Sequence, residues 1–225
     1  MNWMERLSDN HCKGRLLEII KTSCIHLVLL FIFLCPAGCS IKIPVAIGPF
    51  DNQPVIERVP LSIGVCYPAH FRDYFHTETK IIKMHFSLGQ PSMALFKQVF
   101  PAMFNEVVEL GDNDWHDEGG RVISGIIEPD IASFWCSQIE EGNFAAYISY
   151  KFVLYAPGGA EVTRLEAQGS GYRRYNMLGW IEPQMAAVSE DAMRDAAADF
   201  MVNFTSHKGV REWLRSHGVF QIDSE

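Results

Sequence analysis

Residues 143–155 read NFAAYISYKFVLY, and this stretch decides the predicted fold. Every second residue from position 144 onward is apolar, namely Phe144, Ala146, Ile148, Tyr150, Phe152 and Leu154. A period of two sends alternate side chains to opposite faces of a strand, so the pattern predicts a β-strand with one face in a core. The turn-forming sequence APGGA follows at residues 156–160, and a returning strand is predicted over residues 161–172.

A third strand is predicted on the N-terminal side of this hairpin. Residues 121–135 (RVISGIIEPDIASFW) are rich in β-branched and aromatic side chains, and short connections join the three segments. Together they predict an antiparallel meander. Pro129 lies inside the third strand and has no N–H to donate, so we expect an edge or a bulge there.

Two long helices are predicted, one before and one after the meander in the sequence. The first starts near Pro91 and Met93, and Pro101 is expected to kink it or to separate two short helices. The second starts at Ser189 as N-cap, and a short helix over residues 210–216 ends before Gly218. The apolar positions at helical spacing in the two long helices are Phe96, Val99, Phe100, Met103, Phe104, Val107 and Val108, then Met193, Ala196, Ala197, Phe200, Met201 and Phe204.

The first strand of the domain is predicted over residues 61–67 (LSIGVCY), and residues 81–86 form a short possible strand. The main order is therefore β-α-β-β-β-α. This order predicts an α+β fold, a two-layer sandwich in which a mixed, mainly antiparallel sheet carries both long helices on one face. Phe100 and Phe200 are then expected to share one core.

The N-terminal 40 residues have a different character. Lys13, Arg15 and Lys21 precede an apolar run over residues 24–35 (CIHLVLLFIFLC), which is too short to span a bilayer as a helix and fits the apolar region of a signal peptide. Small residues and a cysteine follow, in the order Ala37, Gly38, Cys39 and Ser40. In these residues the chain resembles bacterial lipoprotein precursors.

That resemblance implies cleavage before Cys39 and acylation of Cys39, which would anchor the protein in a membrane. Ser40, and not an Asp, follows the cysteine. In Gram-negative lipoproteins this implies export to the outer membrane, with the protein facing the periplasm. Pro36 stands where the family usually has Leu, and a plain secreted protein or an uncleaved anchor stay open as alternatives. The predicted organisation is a signal peptide over residues 1–38, a proline-rich tether over 39–60 and one periplasmic domain over 61–225.

The net charge and the cysteines of the processed chain bear on its partners and on possible disulfides. Cleavage leaves 15 basic and 24 acidic residues, a net charge of −9, which argues against a nucleic-acid partner. Cys66 and Cys136 are the cysteines that remain besides Cys39. Disulfides persist in the periplasm, so these two either pair or lie unpaired in the core.

Sequence motifs of common enzymes are missing. The chain has no Gly-x-Ser-x-Gly, His-Glu-x-x-His, Walker or Cys-x-x-Cys motif, so we expect a protein that is not an enzyme and has no cofactor or metal. His70, His76 and His85 fit solvated loop histidines better than metal ligands, since their spacings match no helical face. Residues 111–120 (GDNDWHDEGG) form an acidic stretch that lacks the ligand spacing of a calcium loop, so we expect a solvated turn there.

One segment is a candidate docking surface. Phe71, Arg72 and Tyr74 combine aromatic rings with a guanidinium, the residue types that anchor protein interfaces. The alternative is that the segment forms the end of the core. The basic pair Arg173 and Arg174 is a weaker candidate for contact with an acidic partner or a lipid headgroup.

The leader and the β-α-β-β-β-α layout together resemble the ABC-transport auxiliary lipoproteins and the lipopolysaccharide-assembly lipoprotein. The resemblance carries over no site residue except Cys39, and it implies a non-catalytic accessory protein of an envelope complex, with protein partners and the membrane as its contacts. Two alternatives remain, a hydrolase that uses the three histidines, and a lipid or glycan carrier. The carrier would need a cavity lined by Phe96, Phe100, Phe104, Phe152 and Phe200.

Overall fold

The alternating stretch does form a long strand, within a five-stranded sheet. The computed structural model describes residues 40–79, 82–111, 122–139, 142–174 and 179–219. Within these ranges the chain forms eight strands and four helices. They are β1 (Ser40–Ile43), β2 (Val59–Cys66), α1 (Ala69–Arg72), β3 (Phe75–Thr79), β4 (Lys83–Ser87), α2 (Gly89–Met103), β5 (Phe104–Leu110), β6 (Gly125–Gln138), β7 (Asn143–Tyr155), β8 (Glu161–Arg174), α3 (Ile181–Asn203) and α4 (Lys208–Ser216).

The strands form two sheets. The larger has the order β5-β2-β6-β7-β8, and the smaller has the order β1-β4-β3. Strand β2 pairs in parallel with both β5 and β6, whereas β6, β7 and β8 form the predicted antiparallel meander. Helices α2 and α3 contribute apolar side chains to the core on one face of the larger sheet. The predicted α+β class is confirmed.

Pro129 lies beyond the part of β6 that pairs with β2. Strand β2 pairs with β6 only from Gly125 to Ile127. At Pro129, β6 pairs with β7. The register with β7 also shifts between Ile131 and Ser133. The missing N–H of the proline therefore costs no ladder bond on the β2 side.

The predicted first helix is wrong in its second half. Helix α2 ends at Met103 with Pro101 in its last turn, and the chain continues at Phe104 directly into β5. Pro101 weakens the helix at this point, and Val107 and Val108 favour an extended backbone. Strand β5 then pairs with β2 at the edge of the sheet, which apolar spacing alone did not predict.

Helix α3 starts nine residues earlier than expected, with Trp180 and not Ser189 as its N-cap. Ser189 is not its N-cap but a buried residue inside it, and its Oγ donates a hydrogen bond to the Met185 carbonyl oxygen at 2.7 Å. Pro183 stands in the first turn, where the backbone N–H has no helical partner to lose. The last helix, α4, is confirmed, with Trp213 and Leu214 buried.

Small residues bring α3 directly onto β8. A Cβ added at Gly169 or Gly171 would overlap backbone atoms of α3. Three aspartates on α3 contact the outer edge of β8: Asp199 accepts from the Gln168 N–H at 3.1 Å, Asp195 accepts from the Ser170 N–H at 2.9 Å, and Asp191 pairs with Arg173. Because Asp199 and Asp195 bond edge N–H groups, they hinder pairing of β8 with a further strand.

Phenylalanine rings fill the space between the helices and the sheet. Phe96 and Phe100 of α2 pack against Phe152 of β7 and Phe200 of α3. The ring centroids are 4.0 Å apart for Phe152 and Phe200. They are 5.1 to 6.3 Å apart where Phe96 contacts either of these rings and where Phe100 contacts Phe200. All four side chains are buried. The prediction that Phe100 and Phe200 share one core is confirmed.

Residues 40–58 are packed against the domain, in contrast to the predicted tether. Ile43, Val45 and Phe50 are buried in the main core. The Phe50 N–H donates to Gln98 Oε1 of α2 at 2.9 Å, and Arg194 of α3 donates from Nη1 to the Pro49 carbonyl oxygen at 2.8 Å. The prolines keep this segment extended while its apolar side chains pack on both helices.

The two cysteines do not form a disulfide. Cys136 lies in the main core, whereas Cys66 lies in a small cluster with Val108, Leu110 and Ile126. Cys39 and the predicted signal peptide lie outside the described residues. Among the residues that are described, no helix combines the length and apolar character needed to cross a membrane.

Candidate functional site

The face of the meander opposite the helices carries large aromatic side chains. Trp135 pairs with Tyr147 across β6 and β7, and Tyr172 pairs with Ala145 across β7 and β8. Their sequence neighbours Phe134, Cys136, Ala146 and Ile148 are buried in the core, so the aromatics point to the other side of the sheet. Trp135 is 40% exposed and Tyr172 is 62% exposed. We call Trp135, Tyr147 and Tyr172 the aromatic patch.

Polar residues of the same face surround the aromatic patch. Ser149 lies two residues beyond Tyr147 and donates from Oγ to Glu166 Oε1 at 2.8 Å. Lys151 is exposed next to it and pairs across the strands with Asp130 and Glu166. The patch thus has an aromatic centre and a charged margin of both signs, an arrangement common at protein interfaces.

The aromatic patch was not predicted from the sequence, although the sequence contains a signal for it. Tyr147 falls on the odd positions of β7, out of phase with the buried even positions, and Trp135 falls between Phe134 and Cys136. A large aromatic on the polar phase of a strand indicates an exposed ring. Grouping the three rings requires the register of three strands, which only the structure supplies.

The predicted docking cluster is divided between the core and the surface. Phe71 has 0% exposure and its ring stacks on Tyr67, so it is a core residue and not a docking residue. The short helix α1 buries Phe71 on one side and leaves Arg72 half-buried on the other. The alternative interpretation, the end of the core, therefore holds for Phe71 fully and for Tyr74 in part, because Tyr74 is half-buried and packs against the core.

Arg72 and Tyr74 line a surface groove of about 510 Å³. Burial raises the pKa of the Tyr74 hydroxyl above its usual value, and the nearby Asp130 carboxylate raises it further. The hydroxyl is consequently a neutral hydrogen-bonding group at neutral pH. The other residues that line the groove are Lys42, Asp73, Phe75, His85, Ser87, Gly89 and Gln90.

The three histidines make separate contacts. His85 pairs with Thr77 across the β3-β4 hairpin, whereas His76 pairs with Phe86, so the two rings lie on opposite faces of that hairpin. His76 also contacts Glu78 at 3.2 Å. His70 lies on α1, with Nε2 3.5 Å from Asp130 Oδ1. Such an arrangement does not bring the imidazoles to one reacting atom.

Glu128 lies near His70 and has a raised pKa. Burial raises its pKa, His70 opposes the rise, and Asp130 adds to it. Glu128 and Asp130 project from the same face of β6, two residues apart. Within the described ranges, no set of three potential metal-ligating side chains comes together here or elsewhere.

The cavity that a carrier would need is occupied by side chains. Phe96, Phe100, Phe152 and Phe200 contact one another, and Phe104 packs on Phe204 with ring centroids 5.3 Å apart. A groove of about 550 Å³ lies elsewhere, between residues 56–60 and the ends of α3 and α4. Charged Glu57 and Arg58 line it together with apolar side chains.

The remaining sequence candidates are placed as follows. Arg173 forms an ion pair with Asp191, and its Nη2 donates to Oδ1 at 2.8 Å. Arg174 is exposed at the end of β8. Residues 112–120 of the acidic loop lie outside the described residues, as does the predicted acylation site Cys39.

Comparisons with known proteins find similarity to solved structures only. No family model matches the sequence, and no curated protein matches it significantly. A protein of the DUF330 family from Xanthomonas campestris is 12% identical, with a TM-score of 0.42, over 74% of this chain and 96% of that chain. A minor lipoprotein from Acinetobacter baumannii is 12% identical, with a TM-score of 0.38, over 69% of this chain and 96% of its own. At these TM-scores the similarities carry no argument about function.

Proposed function

We propose that this chain is a lipid-anchored, non-catalytic accessory protein of a bacterial cell-envelope complex. Acylated Cys39 holds it on the periplasmic face of the outer membrane, and the aromatic patch docks a protein partner. The observation that carries the proposal is the exposed patch of Trp135, Tyr147 and Tyr172 on a sheet whose other face covers a filled core. Its role is in transport or in the assembly of a surface structure.

Binding energy at a protein interface is concentrated in a few aromatic and arginine side chains. Trp and Tyr are enriched at these positions because they bury a large apolar area and still offer one polar group. Trp135 and Tyr172 stand on rigid strands, so little conformational freedom is lost when a partner covers them. The charged residues Asp130, Lys151 and Glu166 on the same face supply a polar margin.

The two alternatives have less support in the geometry. A carrier needs an enclosed apolar void, and the phenylalanines that would line it fill that space with their own rings. A hydrolase needs a nucleophile, a base and a group that orients the base, and His76 and His85 lie on opposite faces of one hairpin.

The proposed anchor is tested by replacing its acylated residue. Cys39→Ser removes the thiol that would form the thioether, so incorporation of a palmitate analogue during growth should be lost. The match to a lipoprotein signal, Ala37-Gly38-Cys39-Ser40 after the apolar run, motivates the experiment. Equal labelling of the wild type and the Cys39→Ser protein would refute the anchor.

The docking face is tested by pull-down of the native protein from detergent-solubilised envelopes. Trp135→Ser and Tyr172→Ser should lose a partner that the wild type retains, with little change in melting temperature because both side chains are exposed. Val202→Ser is the matched control, since Val202 is 56% exposed on α3 in the helix layer. Retention of every partner by both patch variants would contradict the proposed docking face.

A further inference from the structure

The groove beside the N-terminal strand combines cations with an exposed aromatic ring. We propose that this groove, through Lys42, Arg72 and Phe75, binds the phosphate headgroups of anionic phospholipids in the membrane that holds the chain. This inference deepens the proposed function and rests on the acyl anchor, but not on the aromatic patch.

The position of Lys42 along the chain supports the proposal. Strand β1 starts at Ser40, the residue after the proposed acylation site, and Lys42 lines the groove. Three residues of extended chain span at most about 11 Å, so Lys42 cannot lie farther than that from Cys39. An acylated Cys39 lies at the bilayer interface, where the headgroup layer is about 5 to 8 Å thick. The groove is therefore within reach of the headgroups.

The packing of residues 40–58 adds to this argument. A free tether of twenty residues would let the domain move far from the bilayer. Instead, Ile43 and Phe50 are buried in the core and Gln98 and Arg194 hold the segment on α2 and α3. The chain between a Cys39 anchor and the packed residues is thus only a few residues long.

The chemistry of the groove suits a phosphate at an interface. Among the residues that line the groove, Lys42 and Arg72 supply two positive charges and Asp73 one negative charge, in a mature chain of net charge −9. The Asp130 carboxylate lies behind the lining, near Tyr74. A guanidinium binds phosphate oxygens in a bidentate manner, and a lysine adds a mobile point charge. Phe75 is 69% exposed at the same groove, and an exposed ring beside cations suits the headgroup boundary.

The backbone holds Arg72 and Tyr74 in place at the groove. The N–H groups of Leu88 and Gly89 both donate to the Tyr74 carbonyl oxygen, at 3.1 and 3.0 Å. Gln90 Nε2 donates to the Arg72 carbonyl oxygen at 3.2 Å. A Cβ at Gly89 would overlap the Arg72 backbone, so glycine allows this close approach. The groove is thus formed before any ligand binds.

The test measures the reactivity of lysine side chains in the anchored protein. The acylated full-length mature chain is reconstituted in vesicles of phosphatidylcholine alone, or of phosphatidylcholine mixed with phosphatidylglycerol. An amine-reactive reagent then modifies exposed lysines, and mass spectrometry gives a rate for each. Lys42 should react about fivefold more slowly on the anionic vesicles, because a cation near such a surface gains about 1 kcal/mol. Raised salt should remove this protection.

Controls separate the groove from the general field of the membrane. Lys208, exposed at the start of α4, should react at similar rates on both kinds of vesicle. Arg72→Gln should reduce the protection of Lys42, Arg72→Lys should keep most of it, and Arg211→Gln on α4 should leave it unchanged. Melting temperatures show whether each variant is folded.

The outcomes distinguish this proposal from the proposed function. Equal protection of Lys42 on both kinds of vesicle, or equal protection of Lys42 and Lys208, overturns headgroup binding while the anchor stands. A chain that floats with neither kind of vesicle overturns the anchor, and headgroup binding falls with it. If Lys42 is protected but Trp135→Ser and Tyr172→Ser keep every partner, headgroup binding is upheld and only the docking face is refuted.

Discussion

Two glycines on β8 set the distance between the sheet and the helix layer. At positions 169 and 171 the strand faces α3, and any Cβ would overlap backbone atoms of that helix. The facing helix residues include Ala192 and Ala196, which are small as well. The two glycines that precede the basic pair Arg173 and Arg174 are therefore explained by packing.

Substitution of either glycine tests this role. Gly169→Ala and Gly171→Ala should each lower the free energy of unfolding by about 1 to 3 kcal/mol, the usual cost of forcing extra atoms into a packed site. Gly158→Ala is the matched control, because a Cβ there meets nothing within 4 Å, and it should change stability by less than about 0.5 kcal/mol. Denaturant melts provide the measurement, and equal effects at the three positions would contradict the close approach.

At the scale of whole elements, the N-terminal segment connects both long helices. Phe50 inserts its ring beside Arg194, whose guanidinium carbon lies 5.5 Å from the ring centroid, while its backbone N–H bonds to Gln98. Arg194 also pairs with Glu190 on its own helix. The segment thus ties α2 to α3 and, in an acylated protein, ties both to the membrane anchor.

Hydrogen exchange of the Phe50 amide reports on this connection. Gln98→Ala removes the acceptor of that N–H, and a hydrogen bond of about 1 kcal/mol corresponds to roughly fivefold faster exchange. Gln168→Ala, an exposed glutamine on β8, is the control and should leave the rate unchanged. Unchanged exchange in Gln98→Ala would mean that the bond from the Phe50 N–H to Gln98 does not hold the segment in place.

At the scale of the whole molecule, stability depends on one aromatic core between the sheet and the two long helices. Phe100 and Phe200 lie with ring centroids 5.9 Å apart, and both contact Phe96. Such a filled core is what a rigid docking platform needs, because the patch on the opposite face keeps its shape only if the sheet does.

Truncation of these rings measures the contribution of the core. Phe100→Ala and Phe200→Ala should each cost about 3 to 5 kcal/mol in free energy of unfolding, the range for buried phenylalanines. Phe75→Ala, at an exposed ring, should cost less than about 0.5 kcal/mol. A loss below about 1 kcal/mol at both core positions would show that the two rings are not packed as described.

Local patterns were sufficient for the meander and the final helix. Strand β7 has the predicted bounds, because its alternation, its flanking turn and its β-branched residues all favour the same structure. They were also sufficient for the α+β class and for the placement of Phe100 and Phe200 in one core. In these elements local preference and tertiary packing agree.

Tertiary contacts decided the rest. Residues 104–110 fit a helical stripe, yet they form β5 because pairing with β2 satisfies their backbone groups beyond Pro101. The sequence left Phe71 as either a docking or a core residue, and the structure buries it on the inner side of α1. The predicted tether is part of the core, because Ile43 and Phe50 pack in the main apolar cluster. The aromatic patch and the basic groove each join residues from separate elements. No local period encodes such sites, since they exist only once the strand register and the course of the chain are set.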